Sequence, residues 1–179
     1  MHLFPTCVIA GNIITVNRQK VFEQPPDLDF SSFSKAAFRN LKLEYPKFYR
    51  MDRLCKLGFL AVEYLLAGNP SFRHDESTAI VLSNSCGSSD SDLAHIRNSG
   101  QPSPTVFVYT LPNIVAGEIA IRHGIKGETA FFICEREDEP VMQQYAEVLL
   151  ANGMAGSAII GWVDYADERY FAKFSFLPG

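Results

Sequence analysis

The chain lacks any pair of cysteines at CxxC spacing, any clustered histidines and any apolar run of the roughly 18–20 residues needed to cross a bilayer. Cys7, Cys55, Cys86 and Cys134 are far apart, as are His2, His74, His95 and His123. Neither a zinc ribbon nor a redox dithiol is indicated, so no metal and no cofactor is expected. Excess positive charge is also missing: 16 Lys and Arg stand against 20 Asp and Glu, for a formal charge of -4. General nucleic-acid binding, which draws on counterion release at a basic face, is thereby disfavoured. The apolar residues 7–10 and 13–16 have no basic region before them and are interrupted by Gly11-Asn12, which makes a poor signal peptide. The expectation is a cytoplasmic protein with reduced thiols and no membrane span.

What is present is an ordinary globular composition, 47% hydrophobic and 20% charged over 179 residues. That fits a single domain over 1–179, and a domain of this size buries about 70% of its unfolded-chain surface.

Residues 7–16 read as a buried strand bent at Gly11. Residues 17–44 read as irregular, broken by Pro25-Pro26, with a short helix at most over 35–43; so long a connection is often functional. Residues 47–66 carry Met51, Leu54, Gly58, Ala61 and Leu65 at helical spacing, with Leu57, Leu60 and Tyr64 widening the stripe. A strand is expected over 77–84, a short helix from Asp90 or Ser91 to near Asn98, and a loop over 99–104. Residues 112–123 form a helix with Pro112 in its first turn and Gly124 past its end. A strand follows over 129–134. The helix 140–152 is expected to turn Val141, Tyr145, Val148 and Leu149 to the sheet and Met142, Ala146 and Leu150 toward another side. Strands 157–164 and 169–177 are joined by a connection short enough only for an antiparallel hairpin. Their aromatic residues Tyr165, Tyr170, Phe171, Phe174 and Phe176 read as sheet core. Helix and strand alternate as in a mostly parallel sheet.

Several segments, taken in order, resemble the β-ketoacyl-acyl carrier protein synthases. Arg50-Met51-Asp52-Arg53-Leu54 is similar to the start of their first helix, and Asn84-Ser85-Cys86-Gly87-Ser88 to their glycine- and serine-rich turn. The segment from Pro102 to Asn113 resembles the lead into their second core helix. His123-Gly124-Ile125-Lys126-Gly127 resembles the turn before their third strand, and Asn152-Gly153 with the run from Ala158 to Asp164 resembles their last strand. The resemblance covers only the N-terminal half of such an enzyme. It implies half of a thiolase fold: α/β, a mixed five-stranded sheet in the order 3-2-1-4-5, and helices on both faces.

In that family the nucleophile is a cysteine between the third strand and the next helix. Counting back from Asn152-Gly153 puts Arg136 there, with Cys134 two residues upstream. A thiolate needs a helix N-terminus or positive charge beside it. Cys134 is instead followed by Glu135, Arg136, Glu137, Asp138 and Glu139. The family's two catalytic histidines belong to the C-terminal half and have no counterpart here. Cys86 could be read as a nucleophile at a strand-to-helix turn, but a small residue in a capped turn is the simpler reading. Its loop lacks the glycine pattern of a phosphate cradle. His123, at a helix end, suits a structural role.

The resemblance therefore implies a non-catalytic synthase-like protein that acts by association, with itself, a β-ketoacyl synthase or an acyl carrier protein. Fatty-acid- and polyketide-type biosynthesis, aryl polyene or flexirubin-like pigments included, is the setting it suggests. The alternative is an active 3-oxoacyl-carrier-protein synthase or acyltransferase using Cys134. In the family the third strand pairs with its twin across a dimer axis. Here that strand is Thr129-Ala130-Phe131-Phe132-Ile133-Cys134, with no Lys or Pro to discourage edge pairing, and a homodimer is expected.

Overall fold

The computed structural model describes residues 4–69, 75–97 and 104–179. His2, His74, the expected loop over 99–103 and Pro102-Ser103 of the synthase-like segment lie outside the described residues.

Gly11 and Asn12 both have positive φ (54° and 63°), as a tight two-residue hairpin requires. Residues 7–16 are accordingly two antiparallel strands, β1 (Thr6–Ala10) and β2 (Ile13–Val16), not one bent strand. Asn17 and Arg18 repeat the turn at φ 51° and 68° and lead into β3 (Gln19–Glu23). The expected irregular stretch 17–44 thus contains a strand and also a full helix, α1 (Phe30–Asn40). Asp29 caps α1 by accepting from the Ser32 N–H at 3.0 Å, and Phe30, Phe33, Ala37 and Phe38 form its buried stripe.

The expected helix 47–66 is divided. A 3-10 turn, Pro46–Arg50, precedes α2 (Arg53–Ala67), because Asp52 leaves helical geometry to cap α2 through the Cys55 N–H at 2.8 Å. Every residue of α2 from Leu57 to Leu65 is buried, so it is the central helix of the larger core. After it come β4 (Ala79–Asn84), α3 (Ser89–Arg97), α4 (Pro104–Val108), α5 (Ile114–His123), β5 (Thr129–Ile133), α6 (Glu139–Ala151), β6 (Ser157–Ala166) and β7 (Arg169–Pro178). Gly124, at φ 66°, ends α5 in the left-handed conformation that glycine adopts most readily.

The seven strands among the described residues join one sheet in the order β3-β2-β1-β7-β6-β4-β5. This corrects the expected count of five and the expected order. β1 does not lie between β4 and β6; those two pair directly in parallel, and β1 pairs antiparallel with β7. The reason lies in β7. It pairs with β6 along ten residues and is buried on both faces, with Ala172, Phe174, Ser175 and Leu177 all inaccessible. A strand so covered belongs inside a sheet, where its free side takes β1. Tyr165 and Phe174 are core residues, and Tyr170 and Phe176 pack on that core.

α1, α2 and α5 cover one face of the sheet over the larger core, and α6 covers the other. The side of α6 turned to the sheet differs from expectation. Met142, Ala146 and Leu149 are buried, while Val141 and Val148 are about half exposed, at 48% and 58%. Small Ala146 faces a floor containing Ala79 and Ala158, which lets the helix lie close; the branched Val141/Val148 side would stand off. β5 is an edge strand, as expected. Its inner side pairs with β4 in parallel, Leu82 opposite Phe131 and Asn84 opposite Ile133.

Candidate functional site

In an open α/β sheet, ligands collect outside the carboxyl ends of the parallel strands. Here those ends are Asn84 of β4, Ile133 of β5 and the second half of β6, and both candidate cysteines stand beside them.

The loop after β4 is fastened on every side. Asn84 accepts from the Gly87 N–H at 3.0 Å and donates to the Gly87 carbonyl at 2.7 Å, which closes the turn. Ser85 donates to Asp164 of β6, and the Cys86 N–H reaches the same carboxylate at 3.3 Å. Ser88 donates to the Thr110 carbonyl at 2.5 Å. Cys86 is exposed at the rim of a turn whose polar groups hold the loop to the sheet, as the simpler reading expected.

Cys134 directly follows β5 and is partly exposed; its N–H still donates to the Asn84 carbonyl at 2.9 Å. Arg136, at the expected nucleophile position, is exposed in the bend that follows. Asp138 caps α6 through the Val141 N–H at 3.3 Å. The positive end of that helix is therefore occupied by carboxylates of the chain itself. Glu137 and Glu139 both bind Lys173 of β7, at 2.8 and 2.5 Å, and Ser175 donates to Glu139 at 3.3 Å. Burial works against the Lys173 ammonium, but these two carboxylates outweigh it and hold its pKa above the usual lysine value. Glu137, Glu139, Met142, Ile160, Gly161, Lys173 and Ser175 line a partly open hollow too small for a water molecule.

His123 ends α5, the helix that leads into β5, whereas Cys134 lies beyond the far end of that strand. The His123 ring sits 3.4 Å from Glu63, which also accepts from Arg122 at 2.7 Å. Burial opposes the Glu63 charge, yet His123 and Arg122 together keep its pKa below the ordinary carboxylate value. His95 packs against Phe107. Among the described residues no His, Cys, Asp and Glu group could hold a metal ion, and no helix is long and apolar enough to cross a membrane.

Sequence reasoning missed the open groove beside β5. It has a volume of about 370 Å³ and is lined by Pro112, Asn113 and Ala116 at the start of α5 and by Thr129, Ala130, Phe131 and Ile133. Phe131 packs toward the larger core and Phe132 toward α6, so both faces of the edge strand are apolar. The sequence signal was present in the uncharged run of residues 129–134.

Residues carrying the synthase resemblance have visible structural work. Asp52 caps α2 and accepts from Ser91 at 2.6 Å, Gly124 and Gly153 take positive φ, and Asp164 anchors the Ser85 loop.

No protein-family model matches the chain, and no curated protein is similar to it. Solved structures do match. The ishigamide ketosynthase/chain length factor superposes with a TM-score of 0.71 at 17% identity, over 99% of this chain and 61% of that one. The ketosynthase ApeO in complex with its chain length factor ApeC, from Xenorhabdus doucetiae, gives 0.66 at 15% identity, over 99% of this chain and 79% of that one. The AntDE:AntF structure, a type II polyketide synthase acyl-carrier protein in complex with its ketosynthase, gives 0.63 at 13% identity, over 98% and 61%. Against the first and third, this chain spans about three fifths of the matched chain's length. At such identities the likeness is one of fold: a mixed α/β sheet covered by helices, as in ketosynthase and chain length factor structures.

Proposed function

We propose that the protein is a non-catalytic, synthase-like subunit of an acyl-chain-building system, acting by association with a ketosynthase or an acyl carrier protein. The observation that carries this reading is the start of α6. Where a synthase of this fold would present a nucleophile, the chain has Arg136 facing solvent and two glutamates paired with Lys173 over a hollow too small for a water molecule. Thiolate chemistry needs the opposite arrangement, with an open site and positive charge beside the sulfur. Solved complexes in which a ketosynthase is paired with a chain length factor, both names attached to this fold, support a role of the same kind. The setting is fatty-acid- or polyketide-type biosynthesis, with aryl polyene or flexirubin-like pigments as examples.

The surface of association is β5, residues Thr129, Ala130, Phe131, Phe132 and Ile133 with Cys134 at its end. An unpaired apolar edge invites another strand, and antiparallel pairing across a twofold satisfies it without open-ended growth. The partner strand is that of a ketosynthase or of a second copy. Co-expression with a candidate ketosynthase from the same organism, followed by gel filtration with light scattering, tests this. A complex or a homodimer that Ile133→Lys disrupts is the expected result, since Ile133 is 58% exposed and its replacement leaves the core intact. A stable monomer that ignores the ketosynthase would overturn the reading.

A further inference from the structure

A second groove, of about 490 Å³, opens where the Gly11-Asn12 turn, the β6–β7 turn and residues 26–30 meet. Neither β5 nor the start of α6 lines it. Asp27, Asp29 and Glu168 contribute exposed carboxylates to its wall, against the single cation of Arg169, so negative charge is in excess. Asp27 and Asp29 form no ion pair among the described residues, and Glu168 pairs only with Arg53, at 3.7 Å. Leu28, Phe30 and Tyr170 supply the apolar part of the lining, with the Phe30 and Tyr170 rings 4.8 Å apart.

Glu168 holds its place at a cost. Ala166 pairs with Arg169, so Asp167 and Glu168 make a two-residue turn, and both take positive φ, at 50° and 60°. Glycine suits the second position of such a turn, and a glutamate there is strained. A carboxylate thus stands where glycine would be more stable, and strain of this kind gathers at binding sites. A buried polar atom adjoins it. The Tyr165 hydroxyl meets no hydrogen-bond partner at good geometry, and burial first, then Glu168, push its pKa up. A cationic N–H group drawn to Glu168 would bring a donor to that hydroxyl.

We propose that this groove binds a small aliphatic diamine, with its ammonium groups at the carboxylates and its hydrocarbon stem along Leu28, Phe30 and Tyr170. Charge selects a cation over an anion. Spacing selects an extended cation over a metal ion, because no three His, Cys, Asp or Glu side chains among the described residues gather closely enough to hold one. The volume is that of a small-molecule site, and aromatic faces attract an ammonium group. The positive end of α1 does not oppose the ligand, since Asp29 already caps it through the Ser32 N–H at 3.0 Å.

The probe is 1,5-diaminopentane, titrated calorimetrically into the full chain, with 1-aminopentane and magnesium chloride as comparisons. Saturable binding of the diamine that weakens with salt is expected, with 1-aminopentane at least fivefold weaker. Asp27→Asn and Glu168→Gly should each weaken the diamine at least fivefold. Glu168→Gly should also raise the melting temperature of the unliganded protein, because it relieves the turn and gives up only an exposed ion pair. Loss of binding in that variant therefore cannot come from unfolding. Absence of saturable binding, binding that either variant leaves unchanged, or equally tight binding of 1-aminopentane or magnesium would each overturn the diamine site.

Discussion

The Lys173 ammonium of β7 lies 2.5 Å from the Glu139 carboxylate at the first residue of α6. This contact joins the N-terminus of the helix to the middle of the sheet. Lys173→Met should lower stability by about 1 kcal/mol, read as a shift in the urea midpoint, since the ion pairs are partly exposed. The carboxylates raise the lysine's pKa in the folded state. Its contribution is therefore complete below the unfolded lysine value of about 10.4 and disappears as pH rises through the folded value. The gap between wild type and variant should close in strong alkali.

Glu63 is the opposite case. Its pKa is lowered in the folded state, so its contribution is present above the unfolded value of about 4.3 and is lost as pH falls through the folded one. Glu63→Gln should cost about 2 kcal/mol at neutral pH, because Arg122 and His123 lose a charged acceptor. Urea midpoints of the two proteins should converge on acidification.

Asn12 holds three segments together with one side chain. Its amide donates to the Pro25 carbonyl at 2.7 Å and the Leu28 carbonyl at 2.8 Å, its oxygen accepts from Tyr170, and its backbone N–H donates back to the Tyr170 hydroxyl at 2.9 Å. Asn12→Gly keeps the positive-φ turn but strands these partners. A loss of about 2–3 kcal/mol is expected. Tyr170→Phe made in the same background should add less than it costs alone.

How far the sequence foretold the fold follows from which forces are local. The periodicity of α2, the β6–β7 hairpin and the uncharged edge strand were all readable because each signal lies within one segment. β3 escaped because Asn17-Arg18 turns at positive φ without a glycine, and Gln19–Glu23 is too polar to show a strand pattern. The place of β1 beside β7 is a non-local choice, marked only by the two-sided burial of β7. On α6 two apolar stripes compete, and small Ala146 decides between them through close packing on the alanine-bearing floor. At the candidate site, the carboxylates around Cys134 were legible in the run 135–139. Lys173, far away in sequence, was not.

Gly127 marks a close approach of backbone to backbone. A Cβ there would lie 2.4 Å from the Thr78 carbonyl oxygen and 2.8 Å from that of Ser77. Neither atom is the end of a flexible side chain. Gly127→Ala should destabilise by about 1–3 kcal/mol, visible as a lowered thermal midpoint, and should loosen the turn that delivers β5 to the sheet edge.

The most direct test of a non-catalytic role is condensation by the protein alone. Incubated with acyl- and malonyl-loaded carrier protein and followed by mass spectrometry, the purified chain should yield no ketoacyl product, and Cys134→Ala should behave identically. A ketoacyl product that forms with the wild-type chain and vanishes in Cys134→Ala would contradict it.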